Sequence, residues 1–182
     1  MTCVEVKYLP RPPEQQTQVR SANHFASGRS MPATLMIGPS SIHGFGLIAR
    51  CPISKGSRIA RLEGTLVRNV PTNTYPNAIG IGRAAWIDPG VPFSFINHSC
   101  APTSAFGRRR YNYALCDIDV GDEVTVDYST TEVDPEWSLP CHCSAASCRH
   151  ILRAAQFAFS DRNQEPVASP LILRIWKSLV LQ

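Results

Sequence analysis

The sequence predicts a mostly-β domain of short strands with a helical C-terminal extension, and three features carry that reading. Fifteen prolines and eleven glycines among 182 residues interrupt the chain too often for a helical bundle. Short apolar runs bounded by turn residues recur between Leu35 and Tyr128. Past residue 150 the apolar spacing lengthens to three and four, as in Leu152, Ala155 and Phe159.

Taken in order, residues 1–31 combine Pro10, Pro12 and Pro13 with a polar Ser/Asn/Gly/Arg mixture and read as a flexible arm with little apolar surface to bury. Leu35–Ile37 is a strand stopped by Gly38 and Pro39. Phe45–Arg50 and Arg58–Leu62 follow, separated by the turn at Lys55-Gly56. Further strands are expected at Leu66–Val70, Ala78–Ile81, Ala84–Asp88 and Tyr111–Cys116. The last, Glu123–Tyr128, follows the turn at Gly121-Asp122 and places Val124 and Val126 on one face. Beyond 150, Ile172, Ile175, Trp176 and Leu179 would line one side of a helix.

Composition narrows the function classes. An apolar fraction of 43% supplies a real core, and the formal net charge is only +4. The dense basic run Arg108–Arg110 reads as a solvated loop. Without an aromatic stripe interleaved with it, no direct nucleic-acid binding is expected. No stretch of 18 apolar residues occurs, so no membrane span is expected. Nothing at the N-terminus reads as a signal peptide, and the expected location is intracellular: nucleus or cytoplasm in a eukaryote, cytoplasm in a bacterium.

Seven cysteines are an odd number, and three fall in CHCSAASCR at 141–149. Cys141, Cys143 and Cys148 leave a tetrahedral zinc one ligand short. Cys100, His142 and His150 could each supply it; His142, between two ligands, would tend to point away. Cys51 and Cys116 read as core residues.

Four strings occur together: HGFG at His43–Gly46, FINHSCAPT at Phe95–Thr103, GDEVTVDY at Gly121–Tyr128, and CHCSAASCR. In this order and spacing the chain resembles the SET-domain protein-lysine methyltransferases that carry a post-SET zinc motif, over about residues 33–150. The resemblance implies a β-clip-like fold with a C-terminal pseudoknot, with a catalytic domain at 32–136 and a post-SET segment at 137–150; the arm at 1–31 and an extension at 151–182 are additional to the family pattern. It implies methyl transfer from S-adenosyl-L-methionine to the side-chain amine of a lysine in a protein or peptide, a histone among the candidates. Two other readings stay open: an enzyme using the same cofactor on a small molecule, and an inactive SET-fold binding protein.

Carried over residue by residue, the resemblance makes Tyr128 the catalytic residue that orients the lysine amine. Gly44, Phe45 and Gly46 would lie against the methionine end of the cofactor. Asn97 would contact it through its side chain and His98 largely through its backbone. Cys100 would join Cys141, Cys143 and Cys148 around the zinc. Tyr111, Tyr113, Val126 and Trp137, with Phe93 and Phe95, are candidate walls of the lysine channel; Trp137 leads because it lies just before Cys141. The chain departs from the family pattern at Ser94, Thr103 and Val126, where arginine, asparagine and an aromatic residue are usual. A valine at 126 would widen the lysine passage.

Overall fold

A computed structural model of the chain describes residues 31–68, 75, 77–82, 85–132 and 136–154. The expected arm and most of the expected extension lie outside the described residues. Twelve short strands are described: β1 (Leu35–Pro39), β2 (Phe45–Ala49), β3 (Arg58–Arg61), β4 (Gly64–Arg68), β5 (Ile79–Gly82), β6 (Ala85–Pro89), β7 (Asn97–His98), β8 (Ser104–Phe106), β9 (Tyr111–Ala114), β10 (Glu123–Val126), β11 (Ser138–Pro140) and β12 (Ile151–Arg153). They form sheets ordered β1-β2-β10-β7, β3-β9-β8 and β4-β6-β5, with β11 and β12 as a separate antiparallel pair.

One pairing positions the site. β10 is antiparallel to β2, with Val124 opposite Leu47, but parallel to β7, with Thr125 opposite Asn97 and Val126 opposite His98. A two-residue strand adds little by itself. It is held because Leu47 and Val124 are fully buried and Val126 nearly so, so a one-residue slip of β10 would turn these valines out of the core. Side chains reinforce the crossing. The Thr103 hydroxyl accepts from the Thr125 amide at 2.9 Å and donates to the Glu123 carbonyl at 3.0 Å, and Ser104 Oγ donates to the Thr125 carbonyl at 2.8 Å. Thr103, one of the departures from the family pattern, thus stitches the stretch after β7 onto β10.

The expected helical C-terminal extension is not what the structure shows. Where it should begin, Ile151–Arg153 is a strand paired with Ser138–Pro140, and the described residues contain 3-10 turns but no α-helix. The reason lies in the burial alternation: Ile151 and Arg153 are exposed while Leu152 between them is buried, a period of two. Leu152 packs against Cys141 and Cys143 and so closes the thiol segment instead of starting an amphipathic helix. The placing of core cysteines also needs one revision: Cys51 is buried but Cys116 is exposed. No helix among the described residues is long and apolar enough to cross a membrane.

Candidate methyl-transfer site and thiol cluster

Asn97, at the start of β7, is where the site is knotted together. Its side-chain nitrogen faces four acceptors: Glu123 Oε1 at 2.7 Å, Ser40 Oγ and the Phe45 carbonyl at 3.1 Å, and the His43 carbonyl at 3.2 Å. Two carbonyls and a carboxylate around one atom require it to be the amide nitrogen. The Asn97 amide group therefore binds the His43–Gly46 loop to β10. Ser40 completes the knot. Its hydroxyl donates to Glu123 Oε2 at 2.7 Å and accepts from the amides of Ile42 and His43, shaping the loop as a Ser turn.

The two loop glycines serve different ends. A methyl group at Gly46 would stand 2.1 Å from Glu123 Oε1 and 3.1 Å from Asn97 Nδ2, so the close approach of backbone to this carboxylate requires glycine. Gly44 has φ +48°, and a methyl group there would meet nothing within 4 Å. The backbone beside Gly44 is thus open to an approaching ligand. Gly46→Ala is expected to lower stability by about 1–3 kcal/mol, the usual range for forced overpacking. Chemical denaturation of the two proteins checks it; equal midpoints would show that Glu123 moves aside freely.

Tyr128 opens the 3-10 turn Tyr128–Thr131 after β10. Asp127 caps that turn, its Oδ1 accepting from the Ser129 amide at 3.0 Å. The Tyr128 hydroxyl donates to the Ile96 carbonyl at 2.7 Å, and its backbone amide donates to His98 Nδ1 at 3.1 Å. Burial, helped by the charge of Glu123, pushes the phenol up to about 12, so it stays un-ionised at physiological pH. With its proton committed to Ile96, the phenol oxygen is left as an acceptor.

The thiol segment reaches this point from the other side. Donor atoms of His98, Cys100, Cys141 and Cys143 all lie within 4.8 Å of one another. Cys141 Sγ stands 3.9 Å from Cys100 Sγ and 3.7 Å from Cys148 Sγ. Zinc–thiolate bonds of about 2.3 Å at tetrahedral angles put ligand sulfurs about 3.8 Å apart, so these sulfurs are spaced for zinc. His98 competes with Cys148 for the fourth position. The Tyr128 amide occupies the acceptor role at His98 Nδ1, and burial drives the ring's pKa down to about 4, so the ring is neutral with its proton on Nε2. That N–H faces Cys100 Sγ at 3.2 Å. A protonated ring nitrogen has no lone pair for a metal; it donates to the Cys100 sulfur instead.

Arg149, for which the sequence reading held no role, ties the cluster to the turn. Its backbone amide and Nε each donate to Cys100 Sγ at 3.4 Å, and its terminal nitrogen donates to Asp127 Oδ1 at 2.5 Å. One guanidinium thus spans the Cys100 sulfur and the cap of the turn that carries Tyr128.

The structure brings together most of the residues singled out from sequence. Gly44, Phe45, Gly46, Asn97, His98, Tyr128, Cys100, Cys141, Cys143 and Cys148 share one region. Tyr128 packs against both the main core and the thiol cluster, and Trp137 and Ile42 pack against that same cluster. Val126 is buried beside His98. Tyr111 and Tyr113 are not brought to Tyr128. They occupy the face of β9 opposite Asn112 and Ala114, and it is the inner face, with Ser104, that meets β10. Phe93 is a core residue, edge-on to Phe106 at 5.1 Å, and Phe95 packs at the edge of that core. Sequence reasoning missed Ser40, Arg149 and the part played by Glu123. Arg149 stood in view inside CHCSAASCR, but a lone arginine gives no hint of its partner.

Residues 44–129 match the family model described as SET domain. Over that stretch, a little under half of its length, the chain is similar to a SET domain. Curated relatives agree. The H3 lysine-4 specific histone-lysine N-methyltransferase of Schizosaccharomyces pombe is 34% identical over 139 residues, 65% of this chain and 15% of the relative. Human histone-lysine N-methyltransferase 2B is 32% identical over 134 residues, 62% of this chain and 5% of the relative. The chain therefore spans a small part of the length of these relatives. A crystal structure of KRYPTONITE in complex with mCHG DNA and SAH superposes with a TM-score of 0.54 at 22% identity, over 68% of this chain and 30% of that one, and shares the fold. The matched stretch ends within the Tyr128–Thr131 turn, and the thiol segment follows it.

Proposed function

We propose that this SET domain transfers a methyl group from S-adenosyl-L-methionine to the side-chain amine of a lysine in a protein or peptide, with the thiol segment closing the site around zinc held by Cys100, Cys141, Cys143 and Cys148. The observation that carries the reading is the parallel pairing of β7 with β10. It places the Tyr128 hydroxyl 2.7 Å from the Ile96 carbonyl, at the base of the Asn97–His98 strand, although 32 positions separate the two residues. Two of the strings that suggested methyl transfer become one surface there.

The donor supplies an electrophilic methyl on a sulfonium sulfur. The chain's own residues do the rest by placement. The open backbone at Gly44, in a loop fixed by the Asn97 and Ser40 bonds, offers the donor an approach that costs no loop ordering. The phenol oxygen of Tyr128, its own proton held by Ile96, accepts an N–H from the incoming lysine and turns the nitrogen lone pair toward the methyl. Tyr128 and Trp137, both against the apolar thiol cluster, give the lysine stem a dry wall, and dehydration favours the neutral amine. Histone H3 tails are the first substrates to test, because the Schizosaccharomyces pombe relative is an H3 lysine-4 specific enzyme.

Incubating the zinc-loaded chain with methyl-labelled S-adenosyl-L-methionine, an H3 tail peptide and the same peptide with its lysines replaced by arginine tests the reading. Label is expected in the first peptide alone. Turnover should rise from about pH 7 to about 9 as lysine loses its proton, with no alkaline limb from Tyr128, whose raised pKa keeps it protonated throughout. Labelling of the arginine peptide would contradict lysine as the acceptor. Loss of rate at high pH that Tyr128→Phe abolishes would contradict a phenol that stays protonated.

A further inference from the structure

The outer face of the β3-β9-β8 sheet lies away from β10. Strand alternation buries Asn112 and Ala114 on one side of β9 and leaves Tyr111 and Tyr113 half-exposed on the other. Pairing then sets Arg58 opposite Tyr113 and Arg61 opposite Tyr111, residues about fifty positions apart in sequence. The Arg58 guanidinium sits over the Tyr111 ring at 5.0 Å, and the two tyrosine rings meet edge to face at 6.4 Å. The loop at one end of the sheet adds Arg109, exposed, and Arg110, half-buried. Both hold positive φ, at 55° and 64°, where glycine or asparagine is the easier choice.

The geometry points to this face as a platform for single-stranded nucleic acid. Strand pairing sets Arg58 and Arg61 against the tyrosines of the stretch Arg109–Tyr113, which interleaves aromatic and basic residues on one face. The chemistry fits in two parts. The tyrosine rings offer flat surfaces for unpaired bases, and every base has a face that can use them. Arg58, Arg109 and Arg110 are available to phosphates, whereas Arg61 is engaged by Glu63 at 3.0 Å and holds the Arg109 carbonyl from its Nε. Two acidic groups flank the face: Asp117, which accepts from the Lys55 amide at the far end of the sheet, and Glu63, which Arg61 engages at the Arg109 end. An acidic peptide could match the charge but would leave the tyrosine faces unused. Duplex DNA keeps its bases stacked inside and offers them nothing.

Fluorescence anisotropy of the full chain with a labelled single-stranded RNA of about twelve nucleotides tests the assignment. Saturable binding is expected at about 50 mM salt, with a log–log salt slope near −2, roughly that of three neutralised phosphates. Tyr113→Ala should weaken binding by about tenfold, and Tyr113→Phe, which keeps the ring, should restore it. Arg109→Ala, at an exposed loop position, should make the slope shallower by about 0.7. The inference is overturned if no binding saturates, if Tyr113→Ala binds like the parent, or if the duplex binds as tightly as the single strand. Equal competition by poly-glutamate would assign the face to an acidic protein segment instead. None of these results bears on methyl transfer, so the two proposals fail separately.

Discussion

Stripping zinc from the thiol cluster is expected to abolish methyl transfer while leaving the main β core folded. The two parts of the molecule are held differently. Leu35, Leu47, Ile87, Phe93, Ile118 and Val124 form the main apolar core, and none of the four cysteines belongs to it. The thiol segment has a far smaller cluster: Cys141, Cys143 and Leu152 buried, with Ile42, Tyr128 and Trp137 against them. An apolar contact of that size cannot order residues 138–153 by itself, given about 1–2 kcal/mol of backbone entropy per residue. A structural zinc contributes about 10–16 kcal/mol in peptides at neutral pH, which offsets a large part of that cost. Its loss would release Arg149 from Cys100 and hence from Asp127, and the Tyr128 turn would lose one of its anchors. Chelation should therefore remove hydrogen-exchange protection from 138–153, keep it in β1, β2 and β10, and cut turnover by more than about 10²-fold. Cys148→Ser should lower zinc content and His98→Ala should not, since His98 donates to a thiolate and does not ligate. Full activity in a metal-free protein would contradict the account.

Tyr128→Phe is the second large effect. The ring stays packed against both clusters, so folding should lose only the hydrogen bond to the Ile96 carbonyl, about 1 kcal/mol. Turnover should fall on the order of 10²-fold, because the amine loses the acceptor that aims its lone pair, and misalignment of that order is what proximity effects are sensitive to. Affinity for S-adenosylhomocysteine should hardly change. A rapid-mixing assay at saturating substrate separates the two; an unchanged kcat would remove Tyr128 from the mechanism.

How much of this was legible beforehand depended on the range of the signal. The segments expected at Leu35–Ile37, Phe45–Arg50 and Glu123–Tyr128 carried their own turn punctuation, and strands lie there at Leu35–Pro39, Phe45–Ala49 and Glu123–Val126. The two-residue β7 and the three-residue β8, β11 and β12 are too short for any period to register, and they exist only because partners pair with them. The helix expected after residue 150 rested on three apolar residues at helical spacing. Leu152 answers instead to Cys141 and Cys143, a contact that spacing does not encode. Within the site, residues were legible where motif strings named them. The bonds among them were not: Asn97 reads as a ligand-facing side chain, yet its nitrogen is engaged by Ser40, His43, Phe45 and Glu123. Tyr111 and Tyr113 were grouped with the channel by chemistry alone, and strand parity sends them to the other face.

Hydrogen exchange of the zinc-loaded chain with and without S-adenosylhomocysteine probes the joint between β7 and β10 without relying on turnover. Peptides covering 42–46, 96–100 and 126–129 should slow together on adding the compound, since all three stretches border one pocket. Slowing in one stretch while the others exchange as before, or none at all with zinc bound, would mean that these segments do not form a common methyl-donor site.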